Sequence, residues 1–130
     1  MILGIDIGGT KTSVCAGGTD GRILHSKRMP SLPEQGPDDW MKRLFTLTGQ
    51  LLSAVKIDLQ TIDSIGISAP GPLSVSQGAL LSPPNMTGWG TVPLTDPIGR
   101  HFGKTAYMNN DSNAGVLAEW LWGKYAGTSS

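Results

Sequence analysis

Asp6-Ile7-Gly8-Gly9-Thr10-Lys11-Thr12 lies between two apolar runs, almost at the start of the sequence. An acid, paired glycines, two hydroxyls and a lysine in so short a span could handle phosphate. Glycines let backbone N–H groups approach an anion closely, because no Cβ stands in the way. The acid could hold Mg²⁺, directly or through water, since Mg²⁺ prefers carboxylate, water and phosphate oxygens. The segment is neither G-x-x-x-x-G-K-[ST] nor a G-x-G-x-x-G that opens a helix. The alternative is a plain hairpin with glycines at positive φ and an incidental Asp6. Lys11 could reach a phosphate, although a strand-turn-strand setting favours solvent.

Two more clusters carry chemistry. Ser68-Ala69-Pro70-Gly71-Pro72 stops an apolar run abruptly, and Asn109-Asn110-Asp111 follows another. Asparagine amides both donate to and accept from hydroxyls. Asp111 could take a proton from an attacking hydroxyl as general base. It also stands just before a helical pattern, where Asp is a preferred N-cap, and local sequence favours that cap. Asn85 is either a turn residue or a sugar ligand. Trp89, between Gly88 and Gly90, is a stacking surface for a sugar or an anchor for its loop. His25 and His101 lack partners at ligand spacing. Cys15, the single cysteine, reads as a small buried core residue.

The elements that must position these residues follow from periodicity. Strands are expected at 2–7, 12–16 and 22–27, joined as an antiparallel meander, with Thr19-Asp20-Gly21 as a hairpin turn. After a Pro-rich loop, Trp40, Leu44, Leu47, Leu51 and Val55 predict a helix over 38–55. A fourth strand is expected at 62–69, a hairpin flap at 73–82, an irregular stretch at 82–96 and a short helix within 94–102. A fifth strand at 105–108 and a second main helix at 112–122 complete the pattern, with Gly123 as its stop. If the first, fourth and fifth strands run parallel, their carboxyl ends share one sheet edge, where open α/β sheets bind ligands.

The 130 residues amount to one domain's worth of chain, with ten acids balancing ten bases. No basic excess points to nucleic acid or to an anionic membrane surface. Charged residues are 15% of the chain and glycines number 18, which suggests a largely buried sheet with shaped loops. The start lacks the pattern of a secretory signal, and no apolar run is long enough for a membrane span, so the cytoplasm is the default compartment.

In order, these motifs resemble those of the ROK family of sugar kinases, repressors and uncharacterised open reading frames. Leu3 to Thr12 resembles the family's first phosphate motif, and Gly66 to Pro72 its strand-four turn. Ser82 to Trp89 resembles its sugar-side loop. Asn109 to Ala114, then Ala118-Glu119-Trp120 and Gly123, resembles its catalytic strand end and helix. The resemblance implies an RNase H-like lobe of the actin-like ATPase superfamily. That lobe is α/β, a mixed five-stranded sheet with an antiparallel three-strand meander and two main helices. It implies an ATP-dependent, glucokinase-like hexose kinase of carbohydrate metabolism and glycolysis. In that enzyme Asp111 takes the proton from the sugar 6-hydroxyl, and Gly71, Asn85 and Asn110 contact the sugar. Asp6 orients Mg²⁺, and Gly8, Gly9, Thr10 and Lys11 face the ATP phosphates.

Family kinases are about twice as long. The expectation is therefore an N-terminal lobe over 1–123 and a linker over 124–130 toward a C-terminal lobe that is not in this sequence. That second lobe would carry the other phosphate turn, the adenosine pocket and any structural zinc. The lobe alone is expected to be inactive and prone to self-association, and the full-length protein to be a homo-oligomer acting on a hexose or amino sugar. The competing readings are the sugar-binding lobe of a ROK-type regulator and a noncatalytic actin-like nucleotide-binding module. The resemblance implies that a family repressor carries a DNA-binding segment ahead of the Asp6 strand; that strand is expected here from residue 2 with no basic helix before it, which disfavours the regulator unless the segment was cut away.

Overall fold

The computed structural model describes residues 1–18, 23–69, 72–84 and 86–109. The expected turn at 19–21 and the helix at 112–122 lie outside these residues.

One sheet organises the structure. β1 (Ile2–Ile7), β2 (Lys11–Gly17) and β3 (Ile23–Pro30) form the expected antiparallel meander. β3 continues to Pro30, past the expected Lys27, because it pairs with β2 as far as Lys11. Helix α1 (Pro37–Ala54) then crosses to β4 (Ser64–Ser68), which pairs parallel to β1. The crossover length forbids a hairpin and permits the parallel pairing. β4 is shorter than expected because Leu59–Thr61 form a single 3₁₀ turn ahead of it, capped by the Asp58 side chain.

Between β4 and the last strand the chain builds a second, three-stranded antiparallel sheet from β5 (Leu73–Ser74), β6 (Ala79–Leu81) and β7 (Thr91–Pro93). The flap at 73–82 was expected, but β7 falls in the stretch expected to be irregular. It is only three residues long and ends in proline, which an edge strand tolerates. Helix α2 (Thr95–Phe102) follows, ends at Gly103 in the left-handed conformation, and leads to β8 (Ala106–Asn109), parallel to β4. The large sheet has the order β3-β2-β1-β4-β8.

The register assigns each face. Leu3, Ile5, Ile7, Val14, Ile65 and Ile67 share one face and are fully buried. Beside β2 and β3 that face is covered by the α1 stripe of Trp40, Leu44, Leu47, Leu51 and Leu52. Pro37 suits the first turn of α1, and Asp38 and Asp39 complement its dipole. Thr48 lies within the stripe, where its hydroxyl bonds the Leu44 carbonyl at 2.8 Å.

The small sheet adds Leu80, Met86, Trp89, Val92 and Leu94 to the same core. It joins α2 through Gly78, whose carbonyl accepts from the N–H groups of Leu94 (2.8 Å) and Thr95 (3.1 Å). Gly78 has φ +63, and a Cβ there would lie 1.8 Å from Thr95 Oγ1. Gly78→Ala therefore forces both a strained backbone and an overlap. It is expected to lower stability by about 2–3 kcal/mol in chemical denaturation. An unchanged midpoint would contradict this packing.

Candidate functional site

β1, β4 and β8 run parallel, so Ile7, Ser68 and Asn109 end at the same edge of the sheet, as the sequence suggested. The register adds something the sequence did not reveal. Arg28 pairs with Ser13, Ser13 with Asp6, Asp6 with Ser68, and Ser68 with Asn109. A polar row of Arg28, Ser13, Asp6 and Ser68 thus crosses β3, β2, β1 and β4 on the face opposite the Leu3–Ile5–Ile7 core. The neighbouring row is Ser26, Cys15, Gly4, Gly66 and Tyr107, mostly small residues.

The turn between β1 and β2 is pinned from behind. Trp40 Nε1 donates to Thr12 Oγ1 at 3.0 Å, Thr12 Oγ1 and Ser31 Oγ lie 2.9 Å apart, and Ser31 Oγ donates to the Gly8 carbonyl at 2.5 Å. Ser31 has one hydroxyl proton, and a carbonyl can only accept, so Thr12 must be the donor to Ser31. The relay therefore has one direction, from indole to threonine to serine to the Gly8 carbonyl. Trp40, Thr12 and Ser31 are all fully buried. Ser31 N–H also donates to the Thr10 carbonyl at 2.8 Å. Arg43 fastens the chain behind Ser31: it donates to the Pro30 carbonyl at 2.7 Å and to the Ser31 carbonyl, and it pairs with Asp39 at 2.8 Å.

Gly8 is consumed in building the turn. Its N–H donates to the Lys11 carbonyl at 2.9 Å, and a Cβ at Gly8 would meet that same oxygen at 2.8 Å. Glycine is needed here for close approach; the described glycines with positive φ are Gly36, Gly78, Gly88, Gly90 and Gly103. Among the described residues no hydrogen bond uses the N–H of Gly9 or Thr10. Gly9 is half-buried, and Thr10 and Lys11 are exposed.

Asp6 is half-buried beside Ser13 and Ser68. Burial, reinforced by the Asp6 charge and opposed by a hydrogen bond from the Gly4 backbone, pushes the Cys15 thiol up to about 11. The unfolded thiol ionises near 9.0 while the folded one keeps its proton, so this residue's contribution to stability falls as pH rises from 9.0 to about 11. Cys15 is half-buried rather than fully buried. Among the described residues no three His, Cys, Asp or Glu side chains gather around a metal position. His25 is exposed, and His101 stacks on Phe45 with centroids 3.7 Å apart.

Trp89 anchors its loop. Its Nε1 donates to the Pro33 carbonyl at 2.7 Å, and its ring meets Trp40 edge-on at 5.7 Å. Gly71, Asn85, Asn110 and Asp111 lie outside the described residues. Surface clefts occur elsewhere: one of about 300 Å³ flanks the turn at Thr10, Lys11 and Arg28, and one of about 440 Å³ lies along α2 and Lys104. Neither is lined by Asp6, although the first reaches Arg28 at the end of the polar row.

The ROK family model matches residues 2–130. The chain belongs to the ROK family. It is 34% identical to a glucokinase of Thermotoga maritima, over 94% of this chain and 37% of that protein. It is 28% identical to a putative xylose repressor of a Caldicellulosiruptor species, over 99% of this chain and 32% of that protein. Among solved structures, a ROK glucokinase of Streptomyces griseus, crystallised with glucose and AMPPNP, superposes with a TM-score of 0.74 at 25% identity. That alignment covers 94% of this chain and 36% of that one. The ROK chain thus spans about a third of the length of the relatives it matches. The fold is that of the ROK sugar kinases, with the actin-like ATPase architecture.

Thr12→Val keeps the shape of the side chain but leaves the buried Trp40 N–H without an acceptor. A loss of about 1–3 kcal/mol is expected in chemical denaturation. Thr12→Ser, which keeps the hydroxyl, should recover part of it. Equal stability of Thr12→Val and the parent would rule out the relay as a fastening of the turn.

Proposed function

We propose that this chain is the lobe of an ATP-dependent hexose kinase that holds the donor phosphates and the acceptor sugar, with residues 1–123 as the lobe and 124–130 leading out of it. The observation that carries this proposal is the pinned turn at the carboxyl edge of three parallel strands, with an acid beside it and two N–H donors that no hydrogen bond among the described residues uses. The likeness to a Thermotoga glucokinase and the fold shared with a glucokinase that binds glucose and an ATP analogue support it.

In this proposal Gly9 and Thr10 donate backbone N–H bonds to the ATP phosphates, Gly8 shapes the turn, and Lys11 adds positive charge. Asp6 would hold hydrated Mg²⁺. A carboxylate with hydroxyl neighbours fits an ion that keeps most of its waters, and the buried Ser68 Oγ beside Asp6, without a hydrogen-bond partner among the described residues, fits the same use. When bound, the ion neutralises charge on the phosphates. Gly71, Asn85 and Asn110 would hold the sugar. Asp111 would accept the 6-hydroxyl proton as that oxygen attacks the γ-phosphorus and ADP leaves. Ser112 or Asn113 could then take the helix cap and leave the Asp111 carboxylate free.

A sugar-responsive regulator is the second reading, favoured by the match of nearly the whole chain to a putative xylose repressor. It predicts sugar binding without phosphoryl transfer. The two are separated by sugar-stimulated ADP release from the full-length protein across a panel of hexoses and N-acetylated amino sugars. A kinase turns over on at least one of them, and Asp111→Asn lowers kcat by about 10³-fold or more while sugar binding persists. Sugar binding without turnover on any of them would favour the regulator.

A further inference from the structure

Ser68 stands out among the described residues as the one whose buried side-chain oxygen has no hydrogen-bond partner. It is the last residue of β4, fully buried, and in register with Asp6 on β1. A buried hydroxyl left unpaired is destabilising, and an alanine would fill a strand position next to Ala69 without that cost. Its position in the polar row gives the hydroxyl a use. Asp6 is flanked on both neighbouring strands by serines, Ser13 on β2 and Ser68 on β4.

A hydrated divalent cation is a donor-only object. The oxygen lone pairs of its waters point at the metal, and the O–H bonds point outward. A seat for it must therefore be made of acceptors. A carboxylate supplies two oxygens, and a serine hydroxyl supplies lone pairs on a short, rigid side chain. The serine proton then remains for an oxygen of a bound phosphate or of Asp6. Outer partners of this kind set metal affinity even when they never touch the ion.

We propose that Ser68, with Ser13 on the opposite flank, is a positioning residue that completes an outer-sphere seat for a hydrated divalent cation centred on Asp6. This rests on the phosphate-turn reading proposed above. The test uses Mn²⁺, which takes the same oxygen ligands as Mg²⁺ and is read by electron paramagnetic resonance. Free Mn²⁺ is titrated against the full-length protein holding a nonhydrolysable ATP analogue. Ser68→Ala is expected to weaken Mn²⁺ binding about 10-fold while leaving the melting temperature unchanged or higher. Ser68→Cys, which keeps the volume with a poor hydrogen-bonding group, should show the same loss and decides the matter if the alanine variant folds poorly. Asp6→Asn should weaken Mn²⁺ further. Wild-type Mn²⁺ affinity in both Ser68 variants, with Asp6→Asn impaired, would overturn the role of Ser68 alone. Wild-type affinity in Asp6→Asn as well would overturn the phosphate-turn reading beneath it.

Discussion

Trp40 is the contact on which the site's geometry depends. Its indole N–H starts the relay that ends on the Gly8 carbonyl, and its ring packs edge-on against Trp89. One fully buried side chain in the first turn of α1 therefore fixes two loops of different origin, the β1–β2 turn and the loop around Trp89. The directions of the hydrogen bonds leave no slack. The indole can only donate, the carbonyl can only accept, and two hydroxyls fill the space between them. Such a network is rigid because breaking any link buries an unpaired polar group.

The sheet beneath has two unlike faces, and the site exploits the difference. One face carries the Leu3–Ile5–Ile7 row and Ile65–Ile67, whose burial against α1 and the small sheet supplies the hydrophobic stabilisation. The other carries Gly4 and Gly66 next to the row of Ser13, Asp6 and Ser68. Because side chains alternate along a strand, Asp6 is held by the same residues that build the core. Ile5 and Ile7 lock the register, and the register places Asp6 between two serines.

Much of this was legible in the sequence, and the misses have physical causes. The meander, α1, α2 and the parallel strand ends follow from local period and connection length. Trp89 could be read only as sugar platform or anchor, because the choice depends on Pro33 and Trp40, which are distant in sequence. β7 escaped notice because three residues ending in proline carry no alternation. The polar row was illegible for a deeper reason. Its members come from four strands, and their alignment exists only once strand order and register are set. Thr12 reads as a hydroxyl of the phosphate turn opening a strand and Ser31 as the start of a Pro-rich loop, since nothing local marks a hydroxyl as a relay. The paired glycines were legible as a turn, but the separate duty of Gly8, its N–H bonded to Lys11 and its carbonyl to Ser31, required the folded chain.

ROK membership sets these features in a family that includes kinases and repressors, so a shared fold alone does not choose an activity. What the two readings share is the pinned turn, and what the kinase alone requires is phosphate upon it. The most direct measurement is a crystal structure of the full-length protein with Mg²⁺ and a nonhydrolysable ATP analogue. Phosphate oxygens are expected about 3 Å from the N–H groups of Gly9 and Thr10, with a water of the metal on the Asp6 carboxylate. Phosphates bound away from the turn, for example in the cleft along α2 and Lys104, would contradict this expectation.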